Sequence, residues 1–260
     1  MPRYVQPWAL EKFRLLELYL PRYLRAEAEA GERIYIDGFA GSGTNQVIGS
    51  DVVAASTPLL ALDARGTGSS DSSEVAFTRL VFIEESESAA AELRSAIAER
   101  GGDDRAEVVV GDVDVELPRL LEGVERTTPV FVTLYANEAE PAWSTMEQIA
   151  AWDVELLISF PLRTTANRGS DRSRMQRYFG DSGWEGDWAR GDYGAVREFY
   201  QDRLRSLGWT RQADDDLLVK EHDPVGHKDY WLIHAARREA EQGVWQWVLR
   251  QPPSPPSGVE

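Results

Sequence analysis

Apolar residues recur along the chain in two alternating patterns. Stretches with apolar residues three or four positions apart predict helices, and short, almost wholly apolar runs between them predict buried strands. The predicted helices span residues 8–30, 58–62, 87–100, 115–122, 141–152 and 193–207, and the predicted strands span 33–36, 80–83, 106–110, 130–135 and 155–160. Strands that are apolar on both faces are typical of a parallel sheet covered by helices on both sides, so the pattern predicts an α/β fold.

Local signals refine these boundaries. Pro21 is expected to kink or split the first helix, and Ser86 is expected to cap the helix that follows it. Residues 66–73, rich in glycine and serine, predict a flexible loop.

The C-terminal third has a different pattern. Two strand-like runs, 217–221 and 230–234, are joined by Asp223–Gly226 and predict an antiparallel hairpin at the sheet edge. A chain of 260 residues with 42% hydrophobic content can bury one substantial core. We therefore expect a single domain over residues 1–250, with the helix 8–30 packed on it, and a disordered, proline-rich tail over residues 251–260.

The composition excludes several kinds of chemistry. The sequence has no cysteine, which removes disulfides, thiolate nucleophiles and cysteine-bound metals. It has no apolar run of about 18 residues and no signal-peptide pattern, so we expect a cytoplasmic protein that does not enter a membrane. The net charge of −16 disfavours a nucleic-acid partner. His222 and His227 with Asp229 match no metal-site spacing, and we predict a solvated loop and no metal there.

Acidic residues follow the first three predicted strands. Asp37, Glu84 and Asp112 each end one strand, and Asp37 leads into the turn Gly41–Gly43. In an open parallel sheet, ligands bind beyond the carboxyl ends of the strands. Carboxylates there accept hydrogen bonds from hydroxyl and ammonium groups, and a glycine turn feeding a helix presents backbone N–H groups. The alternative for each acid is a turn residue that caps the next helix.

The sequence of the turn argues against two common nucleotide-binding motifs. A phosphate-binding P-loop needs a lysine after its second glycine, where this chain has Thr44 and Asn45. The dinucleotide fingerprint needs a third glycine where Gln46 stands. The acidic strand ends suit S-adenosylmethionine (SAM) better, because its amino acid and ribose can bind several carboxylates. We predict SAM as the cofactor.

At these residues the sequence resembles a known family. Asp37–Gly43, DGFAGSG, resembles the first motif of class I SAM-dependent methyltransferases. Five segments are also similar, in order, to the three-Cys-motif partner proteins: Tyr35–Gly43, Thr57–Leu62, Val81–Glu84, Gly111–Asp112 and Ile158–Pro161. That similarity covers most of the chain.

The resemblance implies a fold and a cofactor site. The implied fold is the Rossmann-like class I methyltransferase fold, a mostly parallel twisted sheet with helices on both faces and a C-terminal antiparallel hairpin. The implied cofactor-binding residues are Asp37, Gly38, Phe39, Ala40, Gly41, Ser42, Gly43, Glu84 and Asp112. Asp37 and the glycine backbone would face the amino-acid part of SAM, Glu84 the ribose and Asp112 the adenine amino group.

The chain departs from the family after the fourth predicted strand. The family has Asp-Pro and an aromatic residue there, and this sequence has Tyr135 and Ala136. We predict that Tyr135, Asn137 and Glu138 hold or deprotonate an amine nucleophile, with plain loop residues as the alternative. Displacement at a sulfonium carbon needs little acid–base help, because the leaving thioether is neutral, so a missing base is tolerable.

Candidate substrate contacts lie near the same edge. Trp143 is one of the aromatic residues close to the predicted strand ends, where ring faces attract a sulfonium cation. Arg163 and Arg168, beyond the fifth strand, suit a substrate carboxylate or phosphate. They belong to an arginine-rich segment that is otherwise typical of a solvated helix surface.

These features together predict a methyltransferase-like, SAM-dependent transferase. Its substrate is expected to be a small polar molecule or the product of a partner enzyme. Aminocarboxypropyl transfer, cyclisation of the cofactor and a non-catalytic scaffold role remain open as alternatives.

Overall fold

The chain folds around one large sheet flanked by helices. The computed structural model describes residues 3–5, 10–68, 73–135, 140–161, 172–210, 217–219 and 230–252. The strands are β1 Arg3–Val5, β2 Ile34–Asp37, β3 Thr44–Val47, β4 Val53–Ala55, β5 Gly66–Thr67, β6 Glu74–Val75, β7 Arg79–Glu84, β8 Ala106–Val110, β9 Val130–Leu134, β10 Val154–Pro161, β11 Leu217–Val219 and β12 Tyr230–Ala235. The helices are α1 Leu10–Ala26, α2 Thr57–Asp63, α3 Glu87–Glu99, α4 Val113–Glu122, α5 Trp143–Ile149, α6 Arg172–Phe179, α7 Glu185–Arg190, α8 Tyr193–Ser206 and α9 Glu239–Leu249.

The main sheet has the strand order β11-β12-β10-β9-β2-β7-β8. From β10 to β8 all neighbouring strands are parallel, whereas β12 is antiparallel to both β10 and β11. The order reverses beside β2, because the chain first adds β7 and β8 on one side and later adds β9 and β10 on the other. This topology is the Rossmann-like class I methyltransferase fold, so the predicted fold class and its C-terminal hairpin are confirmed. Within the hairpin, β12 lies inside the sheet and β11 forms the edge.

The central strands are buried on both faces. Ile34 and Ile36 of β2 point into a core shared with α4, α5 and α8, whereas Tyr35 points into a core shared with α1, α2, α3 and α9. Two cores of this kind account for the nearly continuous apolar strands of the sequence. The carboxyl ends of the parallel strands meet at one edge of the sheet, where Asp37 and Glu84 lie.

The first helix differs from its prediction. α1 is one helix from Leu10 to Ala26, so Pro21 does not split it. The helix buries Leu16, Tyr19 and Leu20 against the sheet, and this packing outweighs the local cost of a proline.

Two stretches of extended structure have no counterpart in the predicted elements. After the glycine turn, β3 and β4 form an antiparallel hairpin, and β3 also pairs in parallel with β1. The turn therefore leads into this hairpin and not directly into a helix. Gly66–Thr67, at the start of the predicted loop 66–73, forms a short antiparallel pair with Glu74–Val75, which directly follows that loop.

Among the described residues, no helix has the length and apolar character needed to cross a membrane. The connection Asp223–Gly226, the histidines His222 and His227, and the tail after Pro252 lie outside those residues.

Candidate functional site

The turn that follows β2 spans Gly38–Gly43 and includes both glycines of the sequence motif. It is hydrogen-bonded to the strands on both sides of β2. The N–H of Gly38 donates to the carbonyl of Thr133 on β9 (2.9 Å), and the N–H of Ala40 donates to the carbonyl of Ile83 on β7 (2.9 Å). Ala40 is buried, and Phe39 packs partly buried against the core on the opposite face. The turn is thus held at the point where the strand order reverses.

The two glycines of the G-x-G segment have left-handed backbone conformations. Gly41 has φ 66° and Gly43 has φ 87°, values that favour glycine over any residue with a side chain. A Cβ on Gly43 would also lie 2.9 Å from Leu93 Cδ1. Ser42 between them is buried, and its hydroxyl donates to the carbonyl of Thr44 (3.3 Å). The left-handed backbone of both residues and the confined position of Gly43 explain why glycines occupy this turn.

Asp37 lies beneath the turn and is completely buried. Its Oδ1 accepts a hydrogen bond from the N–H of Phe39 (3.0 Å), and its Oδ2 accepts one from the hydroxyl of Thr57 at the start of α2. Burial raises the pKa of Asp37 to about 6, while these hydrogen bonds, Thr133 and the positive charge of Lys12 oppose the rise. The carboxylate thus holds the turn and α2 together.

Glu84 at the end of β7 is bonded directly to the turn. Its Oε2 accepts a hydrogen bond from the N–H of Gly41 (2.7 Å), and its Oε1 accepts one from the N–H of Ser86 (2.9 Å). The side chain is partly exposed. The structure therefore brings together two sequence-predicted parts of the cofactor site, the glycine turn and Glu84.

Asp112 lies one strand further along the same edge. The N–H of Gly111 donates to the carbonyl of Glu84 (3.1 Å), which places Asp112 close to the end of β7. Asp112 is the N-cap of α4, and its Oδ1 accepts a hydrogen bond from the N–H of Asp114 (2.9 Å). The helix-capping alternative is thus observed for Asp112. Its contact with adenine stays a prediction.

Tyr135 follows β9 on the same face of the sheet as Tyr35. It is buried, and its hydroxyl has no hydrogen-bond partner. Burial raises the pKa of this phenol well above its ordinary value, with smaller contributions from Tyr230 and Asp37. The Nζ atom of Lys12 lies 5.2 Å from the centre of the Tyr135 ring.

Trp143 has the contacts of a core residue. It opens α5 in the core on the face opposite to Tyr135, and its indole N–H donates to Glu147 (2.8 Å). The guanidinium of Arg203 lies 4.2 Å from the indole centre, and the ring of Tyr200 packs edge-on against it. These contacts account for Trp143 structurally, and its role in substrate binding stays a prediction.

Four predicted site residues lie outside the described residues: Asn137, Glu138, Arg163 and Arg168. Three arginines of the same segment are described on α6. Arg172 pairs with Glu185, Arg174 with Glu140 and Arg177 with Asp114. All three therefore form ion pairs within the protein.

The sequence did not single out Lys12, Thr57 or Thr133 as site residues. The sequence signal that could have drawn attention to Thr57 is its position directly before Pro58, at the start of a helix. Thr133 lies in an apolar strand and shares a hydrogen bond with Tyr35 (2.9 Å). Lys12 had no signal, because only the packing of α1 across the sheet brings it to Tyr135.

Comparisons with known proteins give likenesses in structure alone. No family model and no curated protein matches the chain. Trm5b from Pyrococcus abyssi has a TM-score of 0.44 at 13% identity, over 88% of this chain and 48% of that one. This chain therefore spans about half the length of Trm5b.

Two O-methyltransferases give similar values. TomG from Streptomyces achromogenes, involved in tomaymycin synthesis and crystallised with SAM, has a TM-score of 0.43 at 17% identity, over 87% of this chain and 80% of that one. The O-methyltransferase from Bacillus cereus, in complex with SAH, has a TM-score of 0.42 at 14% identity, over 85% of this chain and 80% of that one. Because these TM-scores are below 0.5, the fold assignment rests on the strand order of this chain.

Proposed function

We propose that this chain is a SAM-dependent transferase that binds its cofactor at the carboxyl ends of β2, β7 and β8. One observation carries the proposal. The glycine turn after β2 is bonded through Gly41 to Glu84, at the point where the strand order of the sheet reverses. A ligand in the crevice of a doubly wound sheet contacts the turn and the neighbouring strand ends together.

The chemistry of these groups fits SAM. Glu84 would accept hydrogen bonds from the ribose hydroxyls, and Asp112 would accept one from the adenine amino group. Asp37 and the segment Gly38–Gly43 would face the amino-acid part. The buried hydroxyl of Tyr135, which has no protein partner, is a polar group that a ligand would satisfy.

When bound, SAM supplies a carbon that its sulfonium activates toward a nucleophile. The task left to the residues of this chain is to hold a nucleophile in line with that carbon, since positioning supplies much of the rate. We assign this task to Tyr135, Asn137 and Glu138.

We propose Trp143, Arg163 and Arg168 as contacts for a small polar substrate or for the product of a partner enzyme. The similarity of five sequence segments to the three-Cys-motif partner proteins supports the second option. The fold of the chain is compatible with both.

Calorimetric titration tests cofactor binding. We expect the wild-type protein to bind SAM and S-adenosylhomocysteine, and Glu84→Ala to weaken both by about 10- to 100-fold, because a charged hydrogen-bond acceptor is lost. Glu85→Ala, which removes an exposed carboxylate one position away, is the matched control and should bind as the wild type does. Failure of the wild-type protein to bind either compound at millimolar concentration would refute the proposal.

Product analysis identifies the reaction. Because Tyr135 and Ala136 replace the Asp-Pro of the family, attack at a carbon other than the methyl group is the second candidate. After incubation with SAM and candidate substrates, S-adenosylhomocysteine indicates methyl transfer. Methylthioadenosine indicates aminocarboxypropyl transfer or cyclisation. Tight binding with no conversion by any extract supports a scaffold role.

A further inference from the structure

Lys12 brings a positive charge from α1 to the acidic edge of the sheet. Its Nζ atom lies 5.2 Å from the ring centre of Tyr135 and 5.2 Å from that of Phe13. The side chain is partly buried, and its charge acts on Asp37 beneath the glycine turn. α1 therefore contributes a cation beside the proposed cofactor site.

Tyr135 offers a hydrogen-bond donor at the same place. The residue is 4% exposed and its hydroxyl has no partner. A buried hydroxyl without a partner costs free energy unless a ligand or a water molecule bonds to it. Tyr135 follows β9, whose Thr133 is paired in register with Asp37. The Tyr135 ring and the ammonium of Lys12 are therefore neighbours, and both interact electrostatically with Asp37, which leads into the glycine turn.

The three acids of the site provide no favourable partner for the carboxylate at the amino-acid end of SAM. Asp37, Glu84 and Asp112 suit hydroxyl and ammonium groups, but they repel the carboxylate of an amino acid. The whole chain also carries a net charge of −16. A ligand with a carboxylate needs a local cation here, and an ammonium beside a hydroxyl donor supplies one.

We propose that Lys12 and Tyr135 together bind the carboxylate at the amino-acid end of SAM. The ammonium of Lys12 pairs with the carboxylate, and the hydroxyl of Tyr135 donates a hydrogen bond to it. The ring of Tyr135 also attracts the ammonium and helps to position it. This inference rests on the proposed function and makes α1 a part of the cofactor site. It assigns the hydroxyl of Tyr135 to the carboxylate, so the task of holding the nucleophile is left to Asn137 and Glu138.

Two ligands that differ only in the carboxylate test the inference. Calorimetry with SAM and with decarboxylated SAM should show that the wild-type protein binds SAM about 10- to 100-fold more tightly. Lys12→Met should remove this preference by weakening SAM alone, with decarboxylated SAM changed by less than about twofold. Lys12→Arg should keep most of the preference, since it keeps the charge. Tyr135→Phe should reduce it by about 3- to 10-fold.

Arg25→Met is the matched control, because it removes an exposed positive charge from the last turn of the same helix. It should leave both affinities unchanged. Thermal melts establish that each variant is folded, and Lys12→Gln replaces Lys12→Met if the latter is unstable.

Two results would overturn the inference while leaving the proposed function intact. In one, Lys12→Met weakens both ligands equally, which would mean that Lys12 acts through Asp37 and the turn. In the other, the wild-type protein binds both ligands equally well. If the wild-type protein binds neither ligand, the proposed function itself fails and the inference fails with it.

Discussion

At the scale of a single residue, the buried carboxylate of Asp37 connects the glycine turn to α2. The carboxylate is fully buried, and it is tolerated because Phe39 and Thr57 donate hydrogen bonds to it. Burial is still the larger effect, and it raises the pKa of Asp37 to about 6. A buried carboxylate stays ionised only while its partners are in place.

Removing the hydroxyl of Thr57 tests this role. Thr57→Val keeps the shape of the side chain but leaves Oδ2 of Asp37 without this donor, so we expect a loss of about 1–3 kcal/mol in the free energy of unfolding. Urea denaturation measures the change. Thr67→Val, at an exposed threonine in β5, is the control and should stay within about 0.5 kcal/mol of the wild type. Equal effects of the two substitutions would contradict the assigned role of Thr57.

The glycine turn is the element on which the site depends. It connects β2 to the β3-β4 hairpin and is bonded to β9, β7 and Glu84. Gly43 combines a left-handed φ with a confined position beside Leu93 on α3. Gly49, at the far end of the hairpin, has a similar φ of 79°, but a Cβ added there would have no neighbouring atom within 4 Å.

Alanine substitutions at these two glycines distinguish the cost of backbone strain from the cost of steric crowding. Gly49→Ala should cost about 1 kcal/mol, the cost of a left-handed conformation with a Cβ. Gly43→Ala should cost about 1–3 kcal/mol more, because Leu93 must also move. Urea denaturation measures both, and titration with SAM should show weaker binding only for Gly43→Ala. Similar stabilities for the two variants would show that the turn has room to adjust.

At the scale of the whole molecule, a buried polar network joins α1, β10, β12 and α9 near the amino ends of the strands. Tyr19 donates a hydrogen bond to Glu155, and Nε2 of His234 lies 2.7 Å from the same carboxylate. Arg238 pairs with Glu27 and with Glu241 beside them. Burial is the main reason that the pKa of Glu155 rises to about 8 and that of Glu241 to about 7.

These raised pKa values make the stability depend on pH. The folded protein binds protons at Glu155 and Glu241 that the unfolded chain has already released, so stability is lost as pH rises through about 7 to 8. Between pH 6 and pH 9 we expect a loss on the order of 2 kcal/mol, or about 4–8 °C in melting temperature. Melts of Glu155→Gln should show a flatter profile, whereas Glu99→Gln, at an exposed glutamate, should follow the wild type. Parallel profiles for all three proteins would exclude this network as the cause.

Strands with a strong apolar run were predicted well, whereas the β3-β4 hairpin, which has no such run, was missed. β8 matches its prediction in both bounds, and β7 and β10 differ by one residue at each end. Ser86 caps α3 as expected. The β3-β4 hairpin was missed because Thr44–Val47 alternates too weakly in polarity to indicate a strand. Such a strand forms only because β1 and β4 pair with it.

The sequence by itself determined the fold class and the residues of the glycine turn. Both follow from short-range properties, since apolar strands buried on two faces imply a covered parallel sheet and glycines permit left-handed backbone. Only the tertiary structure decided that Thr57 bonds Asp37 and that Lys12 reaches Tyr135. These contacts join residues far apart in the chain, and their distances are set by how α1 and α2 pack on the sheet. No local pattern encodes such a distance.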